Sequence, residues 1–140
     1  MRAGLERKVR KRAQDSCEYC LVPESAYRFT FPIDHIVAKQ HGGKTSLENL
    51  AEACLRCNSH KGPNLSGIDP VSGELGRLFH PRLDKWADHF RWKGPKILAI
   101  TAIGRATIVV LNINHPDSVA VRAALIAEGG YPRLLNLADQ

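Results

Sequence analysis

Residues 54–61 read Cys-Leu-Arg-Cys-Asn-Ser-His-Lys, and this stretch decides how the first half of the chain folds. Its two cysteines form a C-x2-C pair, and a second pair, Cys17 and Cys20, lies upstream. Zinc prefers four tetrahedral ligands, and each C-x2-C turn presents two thiolates on one side of the ion. Because the chain has 4 cysteines and all of them fall in these pairs, the pattern predicts a structural zinc site made of Cys17, Cys20, Cys54 and Cys57.

Two other interpretations of the cysteines stay open. Buried free thiols would need no metal, and a redox C-x2-C pair would work alone, usually between a strand and a long helix. The presence of two pairs favours zinc over both.

The composition is typical of a globular domain. Hydrophobic residues make up 44% and charged residues 24% of the 140 residues, which fits one domain or one domain with an extension. No run of about 18 apolar residues occurs, so we expect no membrane span. The charged residues after Met1 do not resemble a secretory signal, and we expect a cytoplasmic protein whose thiols stay reduced.

The chain is basic, with a net charge of +6 and an isoelectric point near 9.4. Basic proteins of this size often bind polyanions, although many carry only a solvated positive surface. Charge alone leaves both interpretations open, and positive residues beside a site that needs phosphate favour nucleic acid.

Periodicity and turn residues divide the chain into residues 1–66, rich in metal-ligating groups, and residues 67–140, an α+β extension packed on them. In the first part they predict a basic helix over 5–15, strands over 27–31 and 33–37, an extended piece over 50–53 and a helical turn over 54–61. In the second part they predict a loop over 64–76, strands at 78–79, 90–92 and 96–100, and helices over 101–112 and 116–128.

Asp34 and His35 are suited to cleaving a phosphodiester with the help of a metal. Such hydrolysis needs a water activated by a base and charge neutralisation at the leaving oxygen. Asp34 is a hard oxygen ligand suited to magnesium or manganese. Adjacent side chains of a strand point to opposite faces, so the two residues could face one partner only if the strand were distorted.

Over residues 17–62 the combined pattern resembles that of the HNH endonucleases, which have a ββα-metal fold. Order, residue type and spacing all agree with that family, whose last motif position is His or Asn. The motifs are Cys17-x-x-Cys20, Asp34-His35-Ile36, Gly42-Gly43, Asn49-Leu50 and Cys54-x-x-Cys57-Asn58-x-x-Lys61-Gly62. The resemblance implies an α+β protein with a ββα-metal core and a structural zinc knuckle, followed by a small α+β extension.

The resemblance also implies a role for each motif residue. His35 is expected to be the general base, and Asn49 is expected to orient its ring. Asp34 and Asn58 are expected to hold a catalytic Mg²⁺ or Mn²⁺.

Basic residues of the motif are expected to contact DNA. The candidates are Arg56, Lys44 and Lys61, and Lys61 is also counted among the catalytic residues. The implied function is a metal-dependent endonuclease that nicks or cuts duplex DNA, for which a protein partner could supply specificity.

Two alternatives to this function make different demands on the sequence. A zinc module that binds nucleic acid without cutting it would make Asp34, His35 and Asn58 incidental. A zinc deaminase requires H-x-E followed by P-C-x-x-C, and His35-Ile36-Val37 does not match that signature.

Overall fold

The computed structural model describes residues 2–133. These residues contain three antiparallel two-stranded sheets and five α-helices. The helices are α1 Ala3–Ala13, α2 Leu55–Lys61, α3 Trp86–His89, α4 Ala102–Val110 and α5 Pro116–Ala127. The strands are β1 Ile33–His35, β2 Leu50–Glu52, β3 Ser66–Ile68, β4 Leu75–Arg77, β5 Phe90–Lys93 and β6 Lys96–Ala99. Each strand pairs with its neighbour in the chain, so the sheets are β1–β2, β3–β4 and β5–β6.

The basic helix α1 forms as predicted and lies against β2. Val9 and Ala13, one turn apart, are its buried residues, and the charged side chains occupy the rest of its surface. The helix ends at Gln14, where the backbone turns left-handed with a φ of 55°. Arg12 donates hydrogen bonds to the carbonyls of Leu47 (2.9 Å) and Leu50 (2.6 Å), which fixes α1 to the segment that enters β2.

The strands β1 and β2 and the helix α2 follow one another and form the part of the fold that carries the motif residues. The register is regular: Asp34 lies opposite Ala51 and His35 lies opposite Leu50. Cys54 is the N-cap of α2, and its sulfur accepts a hydrogen bond from the Cys57 amide at 3.4 Å. The first cysteine of the second pair therefore also starts the helix.

Three predictions of secondary structure were wrong. Residues 27–31 are not a strand, because the rings of Tyr27, Phe29 and Phe31 pack on one another and the Phe31 amide donates to the Glu24 carboxylate instead of to a neighbouring strand. Residues 64–76 contain β3 and most of β4 instead of a loop, and residues 78–79 follow β4 without being part of it. The short hairpin β3–β4 contains Gly67 and Gly76 opposite each other, which hides its strand signal.

The two long helices of the second half, α4 and α5, begin where their capping residues predict. Thr101 caps α4 by accepting a hydrogen bond from the Gly104 amide at 3.0 Å. Pro116 starts α5, and His115 caps it through the Asp117 amide.

One buried hydrophobic cluster includes residues from both predicted parts of the chain. Trp86 donates a hydrogen bond from Nε1 to the Tyr19 carbonyl at 2.8 Å, and Tyr131 donates one to the Cys20 carbonyl at 3.0 Å. Arg82 forms an ion pair with the buried carboxylate of Glu18. The residues around the first cysteine pair are thus held by side chains from beyond residue 67, and the division at residue 66 stays a prediction.

Within residues 2–133, none of the helices is both long enough and apolar enough to cross a bilayer.

Candidate metal centres and active site

The four cysteines come together in the core, although the two pairs are far apart in sequence. All four are buried, and their sulfur atoms lie within 4.8 Å of one another. The sulfurs of Cys20 and Cys54 are 3.8 Å apart, which is too far for a disulfide bond of about 2.05 Å. Four thiols packed this closely form a group that can hold a metal ion.

The geometry of this sulfur cluster fits zinc. Tetrahedral zinc–thiolate bonds of about 2.3 Å place neighbouring sulfurs about 3.8 Å apart, and this is the separation of Cys20 and Cys54. In each pair, backbone amides point at the first sulfur: the amides of Tyr19 and Cys20 donate to Cys17, and that of Cys57 donates to Cys54. Such donors stabilise thiolates, and four cysteines leave zinc no open coordination position, so the site is compatible with structural zinc.

Asp34 faces the interior of the domain, toward α2. Its side chain is 5% exposed, Oδ2 accepts a hydrogen bond from the Tyr19 hydroxyl at 2.7 Å, and the Lys61 ammonium lies 3.0 Å from the same oxygen. Burial raises the pKa of Asp34 above its ordinary value, and Lys61 and Tyr19 oppose that rise. The carboxyl group is thus held in a buried place by one positive charge and one hydroxyl donor.

His35 points to the opposite side of β1, where its ring is partly exposed. Its Nε2 lies 2.9 Å from the hydroxyl oxygen of Thr45, in the loop before β2. Burial and the nearby Lys39 lower the pKa of His35, so the imidazole is neutral at neutral pH, as a base must be. The regular register of β1 shows that the strand is not distorted, and Asp34 and His35 do lie on different faces.

Among the described hydrogen bonds, Asn49, which is expected to orient the His35 ring, bonds to the backbone and not to that ring. Its side-chain oxygen accepts from the Val37 amide at 2.8 Å, and its nitrogen donates to the carbonyls of Val37 at 2.9 Å and Lys44 at 2.8 Å. Asn49 therefore closes the loop between β1 and β2 by bonding to its backbone. Within the described hydrogen bonds, the contact to the ring belongs to Thr45, which the sequence interpretation missed because a lone threonine in a loop carries no signal.

Lys61 is buried between α2 and the end of β1. Its side chain is 2% exposed, and besides Asp34 it donates to the carbonyls of His35 at 3.3 Å and Ile36 at 2.9 Å. An ammonium used in this way holds the end of β1 against α2 and is covered from solvent. Its predicted contact with a phosphate stays a prediction.

The remaining candidates lie nearer the surface. Asn58 is partly exposed one turn before Lys61 on α2, and its side chain makes none of the described hydrogen bonds. Arg56 forms an ion pair with Asp117 of α5 at 3.5 Å. Lys44 is exposed in the loop that Asn49 closes.

The segment that contains both cysteine pairs, β1, β2 and α2 also matches a known family. The model of the HNH endonuclease family matches residues 17–64. The chain therefore carries an HNH domain. No match was found among curated proteins or among solved structures.

The HNH domain includes one contact that sequence reasoning did not predict. Tyr19 lies between the cysteines of the first pair, and its hydroxyl reaches Asp34. Burial, together with Asp34, raises the pKa of Tyr19 well above its ordinary value, so the hydroxyl stays protonated and acts as a donor. The cysteine turn thus connects directly to the candidate active site.

Proposed function

We propose that this protein is a metal-dependent endonuclease that hydrolyses phosphodiester bonds in duplex DNA. The observation that carries the proposal is that, inside the HNH domain, a neutral and partly exposed imidazole stands on the same strand as a buried carboxylate. A general base has to be unprotonated and able to reach a water, and a metal ligand has to present a carboxylate oxygen.

His35 is the proposed general base. If Nε2 carries the ring proton and donates a hydrogen bond to the Thr45 hydroxyl, then Nδ1 is left free to take a proton from water. Thr45 is thereby proposed as a positioning residue that fixes the ring and its tautomer. Asn49 acts one step further back, because it shapes the loop that carries Thr45.

The donors of Asp34 and Asn58 suit a hard divalent cation. Both offer oxygen atoms, the Asn58 amide makes no described hydrogen bond, and Asp34 Oδ1 has only a 3.3 Å contact with Lys61. Mg²⁺ or Mn²⁺, when held by these residues, would neutralise charge at the scissile phosphate and the leaving oxygen.

Lys61 is proposed to position Asp34 and to balance its charge. A buried carboxylate without a counter-charge would take up a proton and lose its value as a metal ligand. The ion pair at 3.0 Å keeps the carboxylate ionised and aimed at α2, where Asn58 lies.

Duplex DNA is the proposed substrate because the basic residues favour a polyanion. The exposed positive side chains of α1 and of the loop before β2 are suited to phosphate contacts, which release counterions and make binding depend strongly on salt. Such contacts carry no sequence information, so we expect weak sequence preference. Arg56 stays a candidate contact that would have to exchange its exposed partner Asp117 for phosphate.

The test is the nicking of a supercoiled plasmid by purified, zinc-loaded protein in Mg²⁺, in Mn²⁺ and in EDTA, with zinc content checked after each treatment. We expect nicked plasmid in Mg²⁺ or Mn²⁺ and none in EDTA. His35→Ala should abolish nicking, and His41→Ala, which changes an exposed histidine of the neighbouring loop, is the matched control.

The same assay distinguishes the alternative, a zinc-stabilised module that binds nucleic acid without cutting it. That module would retard DNA in a gel with a steep salt dependence, yet it would leave the plasmid intact under every metal condition. Equal nicking by the His35→Ala and His41→Ala variants would also contradict the proposal, because the activity would then come from elsewhere.

A further inference from the structure

Three carboxylates converge at a place separate from the candidate active site. One oxygen from each of Asp15, Glu24 and Glu52 lies within 4.8 Å of the other two. Asp15 follows α1, Glu24 starts a short 3-10 turn and Glu52 ends β2. Asp15 is exposed and, with Glu24 and Tyr27, lines an open cleft, so solvent can reach the cluster from that side.

Glu52 is the member of this cluster that needs an explanation. Its side chain is 0% exposed, and neither of its carboxylate oxygens has a hydrogen-bond partner among the described residues. Arg10 offers the nearest positive charge, but its Nη1 is 3.6 Å from Oε1, outside hydrogen-bond range. A buried polar group without partners is costly, and in native proteins it commonly marks a bound water or ion.

The charges of the cluster favour an ion over a water molecule. When all three carboxylates are ionised, they and the guanidinium of Arg10 together carry two net negative charges, which one divalent cation would neutralise. Arg10 is already shared, because it also lies 3.4 Å from Glu24.

We propose that Asp15, Glu24 and Glu52 form a second cation site, which takes a hard divalent ion such as Ca²⁺ or Mn²⁺. Carboxylate oxygens are the ligands these ions prefer, and waters from the open side can complete the coordination shell. The ligands come from three chain segments around the first cysteine pair. The ion would therefore stabilise the fold, and the proposal does not depend on nuclease activity.

The test uses zinc-loaded protein in two assays. The first measures thermal unfolding with and without Ca²⁺. The second measures the luminescence of Tb³⁺, which Tyr27 in the cleft can sensitise. We expect Ca²⁺ to raise the melting temperature, because a ligand that binds the folded state stabilises it. The Asn58→Ala variant, in which the candidate catalytic site is weakened, should keep both responses.

Two variants of the cluster and one matched control decide the result. Glu52→Gln and Asp15→Asn should each weaken Tb³⁺ and Ca²⁺ binding at least about tenfold, because the affinity of oxygen sites follows the number of charged ligands. Glu74→Gln, which removes an exposed carboxylate far along the chain in the β3–β4 turn, should change neither.

Asp15 is exposed, so Asp15→Asn folds and keeps the test valid even if Glu52→Gln does not. The proposal is overturned if Ca²⁺ leaves the melting temperature of the unmodified protein unchanged, if Asn58→Ala loses the Tb³⁺ signal, or if Asp15→Asn binds as tightly as Glu74→Gln.

Discussion

Replacement of Lys61 by methionine tests whether this lysine balances a buried charge or contacts DNA. Methionine keeps most of the side-chain volume and removes the ammonium that lies 3.0 Å from Asp34 and 2.9 Å from the Ile36 carbonyl. Removal of one partner from a buried ion pair typically costs about 3–5 kcal/mol, because the other charge is left uncompensated.

An independent limit on that cost follows from protonation. Protonation of a carboxyl group with an ordinary pKa of about 3.9 costs about 4 kcal/mol at pH 7. Asp34 would become protonated in the variant if burying the unpaired charge cost more than this. We therefore expect Lys61→Met to lower the free energy of unfolding by about 4 kcal/mol at pH 7. For a chain of this size the melting temperature should fall by about 10–15 °C.

The loss of stability caused by Lys61→Met should be smaller in acid. Removal of Lys61 takes away an interaction that lowers the pKa of Asp34, so the folded-state pKa rises further above the unfolded value. A raised carboxyl pKa destabilises the fold above the unfolded pKa, and this effect weakens as pH falls. The cost of protonating the carboxyl group drops to about 1.5 kcal/mol at pH 5, so the difference between variant and unmodified protein should narrow accordingly.

The assay is calorimetric or urea unfolding of zinc-loaded protein at both pH values. Lys44→Met is the matched control, because Lys44 is exposed and its replacement should stay within about 0.5 kcal/mol. The double variant Asp34→Asn/Lys61→Met should be more stable than Lys61→Met, since both charges are gone. If Lys61→Met were as stable as Lys44→Met and lost only DNA affinity, the buried role of Lys61 would be refuted.

Four further predictions follow from other contacts. His35→Ala should abolish plasmid nicking while the melting temperature stays unchanged, and Thr45→Val should lower the nicking rate without changing DNA affinity. Equal nicking rates in both variants and the unmodified protein would contradict the proposed roles of His35 as base and Thr45 as the residue that positions its ring. The unmodified protein should carry about one zinc per chain by elemental analysis, and Cys54→Ser should lose this zinc and melt at a lower temperature, because structural zinc contributes folding energy. Gly43→Ala should be destabilising, since a Cβ there would meet the Val37 carbonyl oxygen at 1.7 Å. Gly76→Ala, whose Cβ would meet nothing within 4 Å, should lower the free energy of unfolding less in the same unfolding assay. DNA affinity should fall steeply with salt and differ little between two unrelated duplexes; a flat salt response would contradict phosphate contacts.

The sulfur cluster is the feature that the sequence predicted best. Each C-x2-C turn fixes its two sulfurs locally, so spacing alone nearly determines the ligand geometry. The remaining requirement is that the two turns meet. The antiparallel pairing of β1 with β2 returns the chain to the first turn, where the backbone amide of Glu18 donates to the carbonyl of Glu52 at 2.8 Å.

The partners of the motif residues were harder to predict, because they depend on packing between distant segments. Thr45 and Tyr19 are common residues without a motif, and they become important through one hydroxyl contact each. The burial of Lys61 was missed for the opposite reason: a lysine beside a phosphate-binding motif is usually exposed. Its contact with Asp34 becomes visible only when α2 packs against β1.

The pleat of β1 explains why the neighbouring residues Asp34 and His35 lie in two different environments. A metal-binding carboxylate benefits from fixed donors and exclusion of water, whereas a general base has to meet water and the substrate. Because neighbouring side chains of a strand alternate, Asp34 is carried inward to Lys61 and Tyr19, and His35 is carried outward to Thr45. The regular register with β2 maintains this separation without a bulge.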